Sequence, residues 1–362
     1  MRIGFDAKRY YHNNTGLGNY SRDLVDGLKQ HFPQNAYLLL DKPSLENLYL
    51  ENKIIHTPSK SPLWRSHGIL KDIENLNLDV FHGLSNELPF GSWPLNTKKV
   101  VTIHDVIYKL FPTQYPLLDR NIYHLKTKHA IQVADTIIAT SEATAKDLIH
   151  LYKAPEHKIE VVYQSCGKVH WMPYTASEVD NFKYSKNIQF PFILYVSSFQ
   201  ERKNHLELIK AYAQLLNKDT KMVLAGRKGK TYHQCMDLIK ACQLENDVVI
   251  LTDLEYKELP LLYRSAMGFI YPSLIEGFGI PLLEAACAGL PMAVNDIPVF
   301  REIAPTSTLY FHLGDIISIT KALQNLIDIN ALQDNSQHLE KFKSLNQANQ
   351  MNKIYERTRN NR

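Results

Sequence analysis

Cysteine is scarce in this chain of 362 residues, and the four present, Cys166, Cys235, Cys242 and Cys287, are scattered. None forms a CxxC pair, which argues against a thiolate zinc site and against a disulfide framework. Strong charge of one sign is missing as well. The formal net charge is only +4, so composition gives no case for nucleic acid as a partner. No apolar run reaches the ~18 residues needed to cross a bilayer. The opening MRIGFDAKRYY has no apolar core of signal-peptide length and reads as a strand. A cytoplasmic, reducing setting is therefore expected. There is no GxxxxGK[ST] phosphate loop, no GxSxG nucleophile elbow and no DxD at a strand end to hold a metal–nucleotide complex.

What is present is an alternation of short β-rich apolar runs with longer helical patterns. The first half offers strands at RIGFD (2–6), AYLLL (36–40), DVFH (79–82), KVVTIH (99–104), TIIAT (136–140) and IEVVY (159–163). The second half offers FILYV (192–196), KMVLA (221–225), VVIL (248–251), GFIY (268–271) and PMAV (291–294). Strands separated by helices imply parallel sheets, here twice over. Asn204 and Ser141 stand in N-cap positions before NHLELIKAYAQLL and SEATAKDLIHLY. The expected organisation is an α/β domain at 1–173, a polar linker at 174–187, a second α/β domain at 188–345 and a tail helix at 346–362 that packs back on the first domain. Two doubly wound domains of this kind would place ligands at the carboxyl ends of their strands.

Four stretches there carry chemistry. EGFGIPLLEAACAGLP (276–291) sets Glu276 before a Gly277-Phe278-Gly279 turn and Glu284 one helical turn beyond it. The glycines allow close backbone approach and the carboxylates accept from hydroxyls, a pairing suited to a polyol. SSFQERKN (197–204) puts Arg202 and Lys203 where a strand gives way to a helix, a place suited to a diphosphate. NNTGLGNYSRDL (13–24) carries Gly16, Leu17 and Gly18 into a helix. It serves a phosphate site or a plain tight turn equally well, since Ser21 replaces the third Rossmann glycine. TIHDVIY (102–108) places His104 at a strand end, as a substrate contact or a structural imidazole. His82 in VFHGLSNELP is similarly placed with a weaker case. The basic-aromatic PLWRSHGILKDI (62–73) suits a membrane surface or a packed helix, and the packed helix is preferred.

In this order the motifs resemble the retaining GT-B glycosyltransferases of glycosyltransferase family four, the glycosyl transferases group 1. The resemblance runs from MRIGFDAKR to NDIPVFREIA, with the glutamate pair around GFG as its most specific element. It implies two Rossmann-like domains facing each other across a cleft and transfer of a hexose, with mannose one candidate, from a nucleotide-diphosphate sugar. The acceptor would be a glycan or a lipid-linked glycan in surface polysaccharide or lipopolysaccharide synthesis, with peripheral membrane contact as an option and no metal or other cofactor. Arg202 and Lys203 would hold the diphosphate, Glu276 and Gly277 to Gly279 the donor sugar, and Glu284 the ribose. Gly16 to Gly18 would approach the phosphates and His104 the transferred sugar. A sugar-nucleotide epimerase of the same fold and a non-catalytic sugar-nucleotide-binding subunit are the alternatives.

Overall fold

The computed structural model describes residues 1–41, 54–56, 63–216, 218–329 and 331–360, with the side chains of 54–56 excepted. The chain divides into two compact units, Met1–Gly167 with Lys341–Arg362, and Lys168–Glu340.

The first unit carries a parallel sheet of β1 (Arg2–Asp6), β2 (Ala36–Asp41), β3 (Ile54–His56), β4 (Val80–Gly83), β5 (Lys98–Ile103), β6 (Thr136–Ala139) and β7 (Ile159–Val161). Its strand order is β3-β2-β1-β4-β5-β6-β7. Ile3 stands opposite Tyr37 on one side and Val80 on the other, so the winding reverses between β1 and β4. The second unit repeats the plan with β8 (Phe192–Val196), β9 (Lys221–Ala225), β10 (Val248–Leu251), β11 (Gly268–Tyr271), β12 (Met292–Asn295) and β13 (Leu309–Phe311), in the order β10-β9-β8-β11-β12-β13. Here the reversal falls between β8 and β11. Strands covered on both faces read as unbroken apolar runs, and β8, FILYV, is buried at every position. β3 and β13 are the strands missed in the sequence. Each is three residues long and lies at a sheet edge, too short to leave a pattern.

The stretch 174–187 was expected as a linker. It instead holds the helix Ala176–Lys186 inside the second unit, with Thr175 and Glu178 forming a capping box. That helix buries only Phe182, so it has no apolar stripe to betray it. The second unit also ends earlier than residue 345. The Phe342 ring lies tilted 5.5 Å from that of Tyr163, and its carbonyl accepts from the Cys166 amide at 3.3 Å, both in the first unit.

The helix Ser344–Asn360 packs on the helix Gly16–His31. Ala348, Met351, Ile354 and Tyr355 join Leu24, Val25 and Leu28 in one buried cluster. Contact is close enough that a Cβ on Gly27 would stand 2.4 Å from Ser344 Oγ. The last two residues of the expected tail, 361–362, lie outside the described residues.

Of 62–73, Pro62 lies outside the described residues. In the remainder Trp64 is 2% exposed, and its indole N–H donates to Asp72 Oδ2 at 2.6 Å. Ile69 and Ile73 are fully buried, so this segment is a packed helix, not a membrane face.

Candidate functional site

Loops leaving β8 and β11 meet where the second sheet reverses. After β8 comes a single turn, Glu201–Lys203, and then the helix His205–Ala213. Asn204 between them is left-handed, with φ 56°, and its side chain makes no cap. Its amide donates instead to Glu207 Oε2 at 2.6 Å. Asn204 therefore holds the expected N-cap position of a shorter helix, His205–Ala213, without a capping bond and in a left-handed conformation that asparagine tolerates better than most. It leaves Arg202 and Lys203 in the turn before the helix. Leu274, in the loop after β11, donates its amide to the Arg202 carbonyl at 2.8 Å and ties the loops together.

Glu276 receives both cations. Lys203 Nζ pairs with Oε1, Arg202 Nη1 lies 3.2 Å from Oε2, and the Tyr271 hydroxyl donates to Oε1 at 3.1 Å. Burial pushes the Glu276 carboxyl up, but Lys203 and Arg202 outweigh it and hold the pKa at about 2. The sequence reading assigned Glu276 to a sugar and the cations to a diphosphate. The structure joins all three in one largely buried ionic group with an excess of positive charge. Tyr271, the last residue of β11, was missed, since nothing local marks its hydroxyl.

The turn that follows needs its last glycine. Gly279 has φ 106°, and a Cβ there would approach the Phe300 ring to 3.0 Å. The helix Ile280–Cys287 begins directly after it with Pro281 in its first turn. Phe278 is buried. Glu284 is 4% exposed. It accepts from the Tyr263 hydroxyl at 2.7 Å, and His170 Nε2 lies 3.3 Å away. Burial raises its pKa, yet His170 and Tyr263 together bring it below the usual carboxylate value. The two glutamates thus have separate sets of partners. No sequence spacing ties His170 or Tyr263 to Glu284.

In the first unit the helix carrying the glycines starts at Gly16, so they form its first turn and do not precede it. Asn13 Oδ1 accepts from the amides of Thr15 at 2.9 Å and Gly18 at 3.0 Å. Arg22 clamps the same loop through the carbonyls of Tyr10 and Asn13, at 2.8 and 3.0 Å. A Cβ on Gly18 would stand 1.7 Å from the Asn13 carbonyl oxygen, so a plain steric reason requires that glycine. A Cβ on Gly16 would meet nothing within 4 Å, which leaves room for a ligand to approach.

His104 is 7% exposed and edge-on to Tyr20 at 4.6 Å. Its Nε2 lies 2.9 Å from the Leu84 carbonyl, which can only accept, so Nε2 carries the proton. Burial, with a contribution from Arg9, lowers its pKa to about 4. His104 is therefore neutral at pH 7, with Nδ1 as an acceptor. His82 is fully buried and held between the Tyr355 hydroxyl at 2.7 Å and Thr102 Oγ1 at 2.8 Å. Thr102 bonds in turn to the Tyr20 hydroxyl at 2.8 Å. His82 is a structural link between strands and helices.

Two Rossmann-like units, the second with a basic pair and a carboxylate at its winding reversal, have the GT-B plan, and the comparisons relate the chain to glycosyltransferases. Family profiles agree: Glycosyltransferase Family 4 matches residues 16–165, and Glycosyl transferases group 1 matches residues 177–342. The chain is 27% identical over 364 residues to O-antigen chain mannosyltransferase B of Escherichia coli, covering 93% of this chain and 92% of that one. A solved glycosyltransferase from Rickettsia africae superposes with a TM-score of 0.76 at 16% identity, over 100% of this chain and 99% of that one. Anabaena Alr3699/HepE, solved in complex with UDP and glucose, superposes with a TM-score of 0.74 at 15% identity, over 99% and 100%.

Proposed function

We propose that the protein moves a hexose from a nucleotide-diphosphate sugar to an acceptor hydroxyl, with retention at the anomeric carbon, in the synthesis of a bacterial surface polysaccharide or lipopolysaccharide. The observation that carries this reading is the Arg202–Lys203–Glu276 group at the reversal between β8 and β11. Two preorganised cations stabilise a departing nucleoside diphosphate without a metal ion. The leaving phosphate itself takes the acceptor's proton. Glu276 and the Gly277–Gly279 backbone face the donor sugar, Glu284 the ribose, Gly16 to Gly18 the phosphates, and His104 the transferred sugar through Nδ1. Mannose is the preferred hexose, because the Escherichia coli relative bears the name of an O-antigen mannosyltransferase.

Among the described residues no group of three or more His, Cys, Asp or Glu is arranged to hold a metal ion, and no helix is long and apolar enough to cross a membrane. A lipid-linked acceptor would bring the protein to a membrane surface. The helix Leu117–Val133 then offers the contact, with Leu117, Leu118, Ile122, Tyr123 and Leu125 exposed.

Incubation with radiolabelled GDP-mannose and UDP-hexoses, with and without EDTA, tests the reading. Transfer or slow hydrolysis that persists in EDTA is expected. Epimer formation, or binding without turnover, would replace it with another activity, and loss in EDTA restored by manganese would remove the metal-free assignment. The ribose role has its own test. Glu284→Gln should weaken nucleoside diphosphate binding about tenfold, the equivalent of one hydrogen bond to a charged group. Binding of the 2′,3′-dideoxy analogue should not change. Equal losses for both nucleotides would put Glu284 outside the ribose site.

A further inference from the structure

The first sheet has its own winding reversal, between β1 and β4, and the loops leaving those strands carry a charged group that the donor chemistry does not use. Asp6 ends β1, and Lys8 and Arg9 follow on the short helix Lys8–His12. Glu87 lies in the loop after β4. Arg65 Nε donates to Asp6 Oδ2 at 2.5 Å and Nη2 pairs with Glu87, while Lys126 Nζ reaches Glu87 Oε2 at 2.7 Å. Lys8 senses Arg65, Arg9, Glu87 and Asp6, with Arg65 the strongest influence, then burial, and the net effect lowers its pKa. Arg9 is close enough to His104 to oppose its protonation.

Arg9 is the informative member. Its Nε is buried and has no hydrogen-bond partner. Among the described residues no carboxylate pairs with it, because Arg65 and Lys126 occupy Asp6 and Glu87. A half-buried guanidinium with an unsatisfied N–H is costly unless something fills the place. The charges acting on Lys8 are Arg9, Arg65, Asp6 and Glu87, and with Lys126 on Glu87 the group holds four cations to two carboxylates, an excess of two positive charges. A doubly charged tetrahedral anion balances that excess where a single carboxylate would not. Guanidinium and ammonium groups side by side are also the usual donors to phosphate oxygens. The carboxyl ends of strands at a winding reversal are where α/β units hold ligands.

We propose that Arg9 and Lys8, at the reversal of the first sheet beside His104, bind a phosphate group, and that this phosphate belongs to the acceptor. The identity of the phosphate's carrier rests on the glycosyltransferase reading above; the site itself does not. It would direct an acceptor hydroxyl toward His104 by holding a charge beside it.

Inorganic phosphate is the probe, titrated by calorimetry at constant ionic strength. In an R202A/K203A protein, which lacks the two cations on Glu276, phosphate should still bind at one site. Adding R9Q or K8Q should weaken that binding at least tenfold. Lys8 is exposed, so K8Q keeps the test intact if R9Q proves unstable. In the wild-type protein, phosphate binding should persist under saturating UDP and GDP if the site serves the acceptor. Its loss under those nucleotides would assign the site to the donor's own phosphates and overturn the acceptor claim. No binding in the R202A/K203A protein, or unchanged binding in both R9Q and K8Q, would overturn the site. Sugar transfer that survives either result leaves the glycosyltransferase reading standing.

Discussion

Lys203→Met should cut turnover by about 10²–10³-fold, the usual loss when one preorganised charge contact to a transition state is removed. Charge builds on the diphosphate as the glycosidic bond breaks, so Lys203 helps the transition state more than the bound donor. The substitution also removes one of the two cations on Glu276, whose side chain is only 9% exposed. Losing one partner of a buried ion pair costs ~3–5 kcal/mol when the remaining charge is left alone. Arg202 and Tyr271 stay in place, so the loss should fall below that range. Thermal melting read beside turnover separates the two effects: Lys203→Met keeps the Arg202–Glu276 pair and should lose far less stability than turnover. A Lys203→Met protein of normal turnover would reduce the motif to a structural ion pair.

Acidification from pH 7 to pH 5 should destabilise the protein, and the first unit more than the second. Burial lowers the pKa of His82 to about 3, of His104 to about 4 and of His205 to about 3, from 6.5 in the unfolded chain. As pH falls below 6.5 the unfolded chain takes up protons that these folded imidazoles refuse. Their stabilisation is complete above 6.5 and is lost progressively toward pH 4. Each should cost about 2 kcal/mol between pH 7 and pH 5. His82 and His104 act on the first unit and His205 on the second. Glu276 works in the opposite range: its pKa of about 2 means its contribution is lost only as pH falls below about 4.5. Urea unfolding at the two pH values reads the difference, and His82→Gln should shrink it by about 2 kcal/mol. Stability that is equal at pH 7 and pH 5 would contradict the neutral, buried state of these imidazoles.

The sequence made the sheets legible because strands buried on both faces must be continuously apolar, whatever surrounds them. FILYV and GFIY could hardly be anything else. Ser141 was readable for the same kind of local reason, and its side chain does accept from the Thr144 amide at 3.0 Å. The helix Ala176–Lys186 announced itself only through the capping box in TASE, since a single buried phenylalanine makes no period. Asn204 had the composition of a cap and the backbone of a turn, a distinction that depends on φ alone. Partners far apart in the chain were invisible. Arg65 reaches Asp6 and Glu87 from the basic-aromatic stretch 62–73, whose pattern names no partner, and His170 approaches Glu284 from outside any helix that the pattern revealed.

The helix Ser344–Asn360 has a consequence for how the molecule is made. It supplies Met351 and Tyr355 to the core beneath β1, and Asn352 Oδ1 accepts from Asn35 at 2.8 Å. Synthesis runs from the N-terminus, yet this unit's core stays open until residues 344–360 have left the ribosome. The second unit has all its strands before that moment. The order of emergence and the order of completion are therefore reversed. A nascent chain paused before residue 344 would display the bare face of Leu24, Val25 and Leu28 to the cell, and that is where a chaperone would find its hold.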